Sequence, residues 1–339
     1  MFRVRVSLSL PRLVGLARAG RALLLTVVTL TAAIVASTAF AQATKPVRIL
    51  VGFPPGGGPD SLARTLADRL KDELGAPVIV ENRPGAGGQI AAQALKAAAA
   101  DGTTFFITHD HTISILPLVV KNPGFDPVQD FVPVAGFATF VNALALSPAT
   151  PGGTFGDYVA SIRSQGGQSA VGVPAPASVP EFLVRVIAQK FALDLVAVPY
   201  RGSAPMIADM LSGQIPAGIG SVPEFIENHR AGKLRVVAVL GRQRQTALPD
   251  VPTFAELGLT GFEDVPYYAF YAPAGTPQAA VDRFAAALTR VIAQPDVHAR
   301  LTSWGLTVTP MPQQVLAQRE RAYRDTWARI IRDSGFQPQ

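Results

Sequence analysis

The chain has 339 residues, 48% of them hydrophobic, with 30 Lys and Arg against 24 Asp and Glu for a net charge of +6. Five of those arginines fall in the first 43 residues, which leaves 25 basic against 24 acidic side chains and no expectation of a nucleic-acid partner. With no cysteine, disulfides and cysteine nucleophiles are excluded, so about 296 residues downstream must hold together by packing, enough for two ordinary domains.

At the amino end, Arg3, Arg5, Arg12, Arg18 and Arg21 precede an apolar run from Ala22 to Val35. Ala39-Phe40-Ala41 follows as a cleavage site, with Ala41-Gln42-Ala43 as a second choice. Residues 1–43 are therefore expected to be a secretory signal peptide, placing the product in the periplasm, soluble after cleavage. The rival, an uncleaved anchor, has an apolar run shorter than the roughly 20 residues a span needs. Without cysteine, lipid attachment is closed.

Val47–Phe53 reads as a strand, Pro54–Pro59 as a glycine-rich turn, and Asp60 as the N-cap of a helix with Leu62, Leu66 and Leu70 on one face. Gly56, Gly57 and Gly58 clear the strand's carboxyl end, so backbone N–H groups can face a small anion. Gly56, Gly57 and Asp60 are the first candidate ligand-binding residues; the plain alternative is a corner and nothing more. A Walker A loop is ruled out, because Gly58 is followed by Pro59, Asp60 and Ser61, and the contiguous glycines fit a dinucleotide fingerprint poorly.

Ala76–Val80 is a second strand, Glu81–Gly88 (ENRPGAGG) a second glycine loop, Gln89–Ala100 a helix and Thr103–Thr108 a third strand. Successive β-loop-α units imply a parallel sheet with ligand sites at the carboxyl ends of its strands, which adds Ala86, Gly87 and Gly88. His109-Asp110-His111 follows. A metal site needs a third ligand that is not nearby, which leaves cleft-lining or structural roles, and His109 is kept as a candidate. Leu116–Phe137 should wrap the domain edge, and Val141–Leu146 restores a strand.

SPATPGG at Ser147–Gly153 suits an interdomain crossing and Gly261–Val265 a second one. The expected organisation is a first lobe over 44–146, a second over 147–265 and a return to the first over 266–339. Within the second lobe, Pro174–Pro180 and Pro199–Ser203 are loops aimed at helices, the latter contributing Tyr200, Arg201 and Ser203 as directed donors. Arg201 could pair bidentately with a carboxylate, or with Asp194 or Asp209 of its own lobe. Trp304 and Trp327 read as packing anchors.

Chemistry is hard to find. There is no G-x-S-x-G elbow and no H-E-x-x-H helix, and four histidines form no triad spacing, although a triad assembled from distant segments leaves no local trace. No enzyme, catalytic residue, metal or cofactor is expected.

FPPGGGPDSLAR, ENRPGAGG, AAAADGTTFF, VPYRGSAP, GKLRVVAV, LPDVPTFAELG and APAGTP run in order along nearly the whole exported chain. Together they resemble the Bug-type substrate-binding proteins of tripartite tricarboxylate transporters. That resemblance implies a periplasmic binding protein with two α/β lobes, type II-like, with two crossover connections and a ligand cleft between them. It further implies capture of a small organic carboxylate for membrane permease subunits, with a periplasmic sensor or adaptor as the alternative. In such proteins the first glycine loop, matching Phe53–Asp60, holds a carboxylate, the second matches Arg83–Gln89, and Ala175–Ser178 with Tyr200–Ser203 completes the cleft. Glu181 stands where the family commonly has histidine, and Ala197 likewise. An extra negative charge there points to a monocarboxylate, aromatic or amine-bearing, with Phe53, His109 and Tyr267 as lining.

Overall fold

The computed structural model describes Phe2 and residues 45–260, 265–333 and 336–338. Apart from Phe2, the expected signal peptide and its cleavage sites lie outside the described residues, as does Gly261–Asp264 of the expected second crossing.

In chain order the first elements are β1 (Val47–Val51), α1 (Gly58–Leu74), β2 (Val78–Asn82), α2 (Gln89–Lys96) and β3 (Thr104–His109). A π-helical turn over His111–Ile115 then runs into the short α3 (Leu116–Val119), followed by β4 (Phe131–Thr139) and β5 (Asn142–Leu146). Next come α4 (Phe155–Ser164), β6 (Gln168–Val173), α5 (Val179–Phe191), β7 (Asp194–Pro199), α6 (Ser203–Leu211), β8 (Ala217–Ser221), α7 (Val222–Arg230) and β9 (Arg235–Val239). The last are β10 (Tyr267–Pro273), α8 (Gln278–Ala293), α9 (Pro295–Ser303), β11 (Thr307–Pro312) and α10 (Gln313–Asp333).

They build two mixed sheets. The first has the order β11-β4-β10-β3-β1-β2, and the second β7-β6-β8-β5-β9. β1 runs parallel to β2 and β3, whereas β10 enters antiparallel between β3 and β4. Strand alternation sorts side chains onto opposite faces of the first sheet. Ile49, Val51, Phe105 and Ile107 face α1 and α8, where Phe105 stacks on Phe284 at 3.9 Å, while Leu50 and Phe106 face Ala91 and Leu95 of α2. Both faces are covered, so β1 and β3 read as continuous apolar runs.

α1 forms because Leu62, Leu66, Leu70 and Leu74 recur at helical spacing and are all buried, and Gly75, at φ 61°, ends it in a left-handed turn. Its N-cap is Gly57, not Asp60. Pro59 presets the first turn, which starts the helix three residues earlier than the capping residue would suggest.

The chain leaves the first sheet earlier than the composition suggested. β4 and β5 belong to different sheets, so the crossing is Phe140-Val141, and β5 is part of the second lobe. Ser147–Gly153 is a turn within that lobe, tied down by Ser147 N–H and Thr150 Oγ1 donating to Pro216 O. A Pro/Gly-rich string serves a turn as well as a linker. The return lies between β9 and β10.

Residues 46–339 form one compact unit, and α10 helps to make it one. Its Tyr323 hydroxyl donates to Asp110 Oδ2 at 2.8 Å beside the first sheet, while Trp327 packs 6.1 Å from Phe182 of α5. The expected first-lobe return segment thus ends against the second lobe. No helix among the described residues is long and apolar enough to cross a membrane.

Candidate functional site

The first glycine loop is braced from behind. Asp60 is 3% exposed; it accepts from Gly56 N–H at 2.9 Å and from Asn82 Nδ2 at 2.8 Å, and it pairs with Arg64. Burial alone would raise its pKa, but the hydrogen bonds from Arg64, Gly56 and Asn82, with the charge of Arg64, outweigh this and hold it below the usual carboxylate value. Asp60 shapes the loop and does not line the cleft. Pro55 and Gly56 are exposed, and Gly57 is buried with its Cβ direction 3.8 Å from Ser203 Oγ of the other lobe.

The second loop is pinned to the segment after β3. Thr112 Oγ1 donates to Gly87 O at 2.9 Å, and Gly87 packs on His111 so closely that a Cβ would sit 2.4 Å from Nε2. Ala86, at φ 46°, adopts a left-handed conformation that non-glycine residues rarely take. The π-helical turn that positions His111 and Thr112 is itself an irregularity common at functional sites. His111 is buried, and burial, followed by the neighbouring His109, lowers its pKa to about 4, so its ring is neutral at neutral pH. Its Nδ1 has no hydrogen-bond partner among the described residues.

Between the lobes the cleft divides into two chambers. Phe53 and Pro174 line both and form the partition. The first, of about 500 Å³, is walled by aromatic rings: Phe53 stacks on His109 at 5.0 Å, and Tyr268 lies 5.7 Å from His109 and 4.7 Å from Phe140. Among the described residues its charged lining is Asp110 and Glu224, with no Lys or Arg. The second, of about 650 Å³, is lined by Gly85, Ala86 and Gly87 opposite Tyr200 and Arg201, with no Asp or Glu among the described residues. Arg201 is exposed and forms no ion pair among the described residues. Of the two acids that sequence proximity offered it, Asp209 accepts from the Tyr200 hydroxyl at 2.7 Å and Asp194 from Gln168 Nε2 at 3.1 Å. Burial and then Asp209 push the Tyr200 pKa up to about 12, so its hydroxyl stays a donor.

Of the residues expected from sequence, Phe53, His109, Ser178 and Ser203 come together around the first chamber, and Ala86, Gly87, Tyr200 and Arg201 around the second. Pro55, Gly57, Asp60, Gly88 and Ala177 line neither, and Gly56 borders a separate groove beside Ser61 and Trp304. Ala177 N–H donates to Glu181 Oε2 at 2.7 Å, and Glu181 also holds Arg185 at 2.8 Å, so its charge is spent locally and not in the cleft. Tyr267 is also displaced from the lining: it is fully buried against Ser114 at 3.0 Å, and its strand neighbour Tyr268 faces the chamber instead. Asp110 and His111, for which a cleft-lining role was one expectation, do line the first chamber, and Glu224, Phe140 and Asn142 are lining residues that sequence reasoning passed over.

The chain matches a family model described as the tripartite tricarboxylate transporter family receptor over residues 62–336. It is 34% identical over 275 residues to Protein BugT of Bordetella pertussis, covering 74% of this chain and 83% of that one. Among solved structures it is similar to a protein of R. palustris with adipate (29% identity, TM-score 0.83, 87% of this chain and 99% of that one). It is also similar to MatC from Rhodopseudomonas palustris with bound malate (28% identity, TM-score 0.78, 85% and 99%). The chain belongs to the tripartite tricarboxylate transporter receptor family, and its two α/β lobes are those of a periplasmic solute-binding protein.

Proposed function

We propose that this receptor is exported by a signal peptide over residues 1–43 and captures a small organic monocarboxylate in the periplasm for the permease subunits of its transporter. The observation that carries the reading is the charge division of the cleft. Arg201 faces the second glycine loop in a chamber without acids, whereas the adjoining chamber holds Asp110 and Glu224 without a cation. One carboxylate is stabilised in the first setting by a fork of guanidinium donors, and a second one is opposed in the other. Relatives with adipate and malate support an acid as the cargo. The site's work is binding and positioning, and no reaction is assigned to it.

A thermal-shift screen over matched mono- and dicarboxylates and aromatic acids tests this. A ligand that binds only the folded form at about 100 times its Kd adds about 2.7 kcal/mol of stability. Saturable shifts are expected from monocarboxylates and not from dicarboxylates of the same length. Arg201→Ala, an exposed change, should weaken binding tenfold or more while leaving the unliganded melting temperature in place. A dicarboxylate preference would overturn the monocarboxylate assignment.

A further inference from the structure

Two identical pentapeptides, Ser178-Val179-Pro180-Glu181-Phe182 and Ser221-Val222-Pro223-Glu224-Phe225, open α5 and α7, and both helices point their first turns at the first chamber. Their glutamates have opposite fates. Glu181 has Arg185 four residues on, which draws its carboxylate along the helix and away from the cleft. Glu224 has Asn228 at the same offset, so no cation competes for it. Glu224 Oε2 accepts from Ser221 N–H at 2.9 Å, and Oε1 reaches across to the first lobe, 3.7 Å from the Cβ direction of Gly58.

The chamber around Glu224 offers an anion fewer backbone donors than its four helix N-termini would otherwise supply, although their positive dipole ends remain. The helices whose first turns reach it, α1, α5, α6 and α7, carry Pro59, Pro180, Pro205 and Pro223 within their first three residues, and each proline removes an N–H that an anion would use. Among the described residues, Asp110 and Glu224 are its only acidic lining, and no Lys or Arg lines it. The walls are the aromatic faces of Phe53, Phe140 and Tyr268, which favour a cation. His111 also lines the chamber, with a neutral ring whose buried Nδ1 has no hydrogen-bond partner among the described residues.

We infer that the ligand is an amino monocarboxylate, whose ammonium group sits in the first chamber against Glu224 while its carboxylate reaches the second chamber and Arg201. This rests on the carboxylate-binding reading above and names the second half of the ligand. Asp110 already receives Tyr323 and lies beside His109, which makes Glu224 the acid with an oxygen to give.

The test is isothermal titration of the purified protein with three matched probes, 5-aminopentanoate, pentanoate and adipate, before and after Glu224→Gln. Glutamine keeps one acceptor, enough to cap α7, while it removes the charge and turns the second oxygen into an NH2 donor. The expected result is that wild type prefers 5-aminopentanoate to both others by tenfold or more, and that Glu224→Gln, with unchanged melting temperature, loses that preference without losing pentanoate. A wild type that binds pentanoate or adipate as tightly as the amino acid overturns this inference and leaves the carboxylate reading standing. An unchanged preference in Glu224→Gln overturns it as well. If none of the three binds, the inference fails; if the wider acid screen is also silent, the carboxylate reading fails with it.

Discussion

Gly88→Ala is expected to destabilise the protein by about 2–4 kcal/mol, the sum of a left-handed backbone penalty and local overpacking. Gly88 sits at φ 94°, and a Cβ there would fall 2.4 Å from Thr112 Oγ1. Thr112 is fully buried and already holds Gly87 O, so it has nowhere to retreat. On the other side, the Cβ direction of Gly52 points at the Gly88 Cα from 2.7 Å, which means the two glycine loops bear on each other. A shift at Gly88 therefore moves the loop that lines the second chamber, and ligand binding should weaken with stability. Gly166 is the control: at φ 93° it has nothing within 4 Å of its Cβ direction, so Gly166→Ala meets the backbone term alone. Urea unfolding midpoints at unchanged slope measure the difference. Equal losses for the two variants would show that the packing against Thr112 is not tight.

Asp60→Ala should cost about 2–3 kcal/mol at neutral pH. Breaking a buried pair by removing one partner costs about 3–5 kcal/mol, reduced here because the Arg64 side chain is 53% exposed and water takes over part of its solvation. The sign of the pH dependence follows from the direction of the shift. A carboxylate whose folded pKa is depressed contributes stability above its unfolded value, about 3.9, and loses it as pH falls through the folded value. The gap between wild type and Asp60→Ala should therefore be full at neutral pH and narrow below about pH 4. Thermal melts of both proteins across that range measure it; a gap that stays constant into acid would mean that the charge of Asp60 is not what braces the loop.

Much of the architecture was readable because the signals were local. The apolar run of β1, the glycine turn and the leucine spacing of α1 each follow from one short-range rule, and their succession fixes a parallel unit with its open end at the loop. Where two long-range outcomes share one local signature, reading stopped. Ser147–Gly153 has the composition of a linker and is a turn, whereas the true crossing, Phe140-Val141, is apolar because it is buried in the cleft. In β10 every residue from Tyr267 to Pro273 is buried, so alternation gives no parity, and Tyr267 could not be told from Tyr268. Glu181 and Glu224 sit in the same pentapeptide and differ only through the residue four positions on, a distinction that was available in the sequence and was missed.

In the proposed complex a carboxylate binds between the two sheets, held by Arg201 and the second glycine loop. A crystal structure of the protein with the tightest acid from the screen tests it most directly. The account predicts the carboxylate within hydrogen-bonding distance of Arg201, on the Ala86-Gly87 side of Phe53. A carboxylate seated instead among Asp110, Glu224 and Tyr268, with Arg201 turned to solvent, would contradict it.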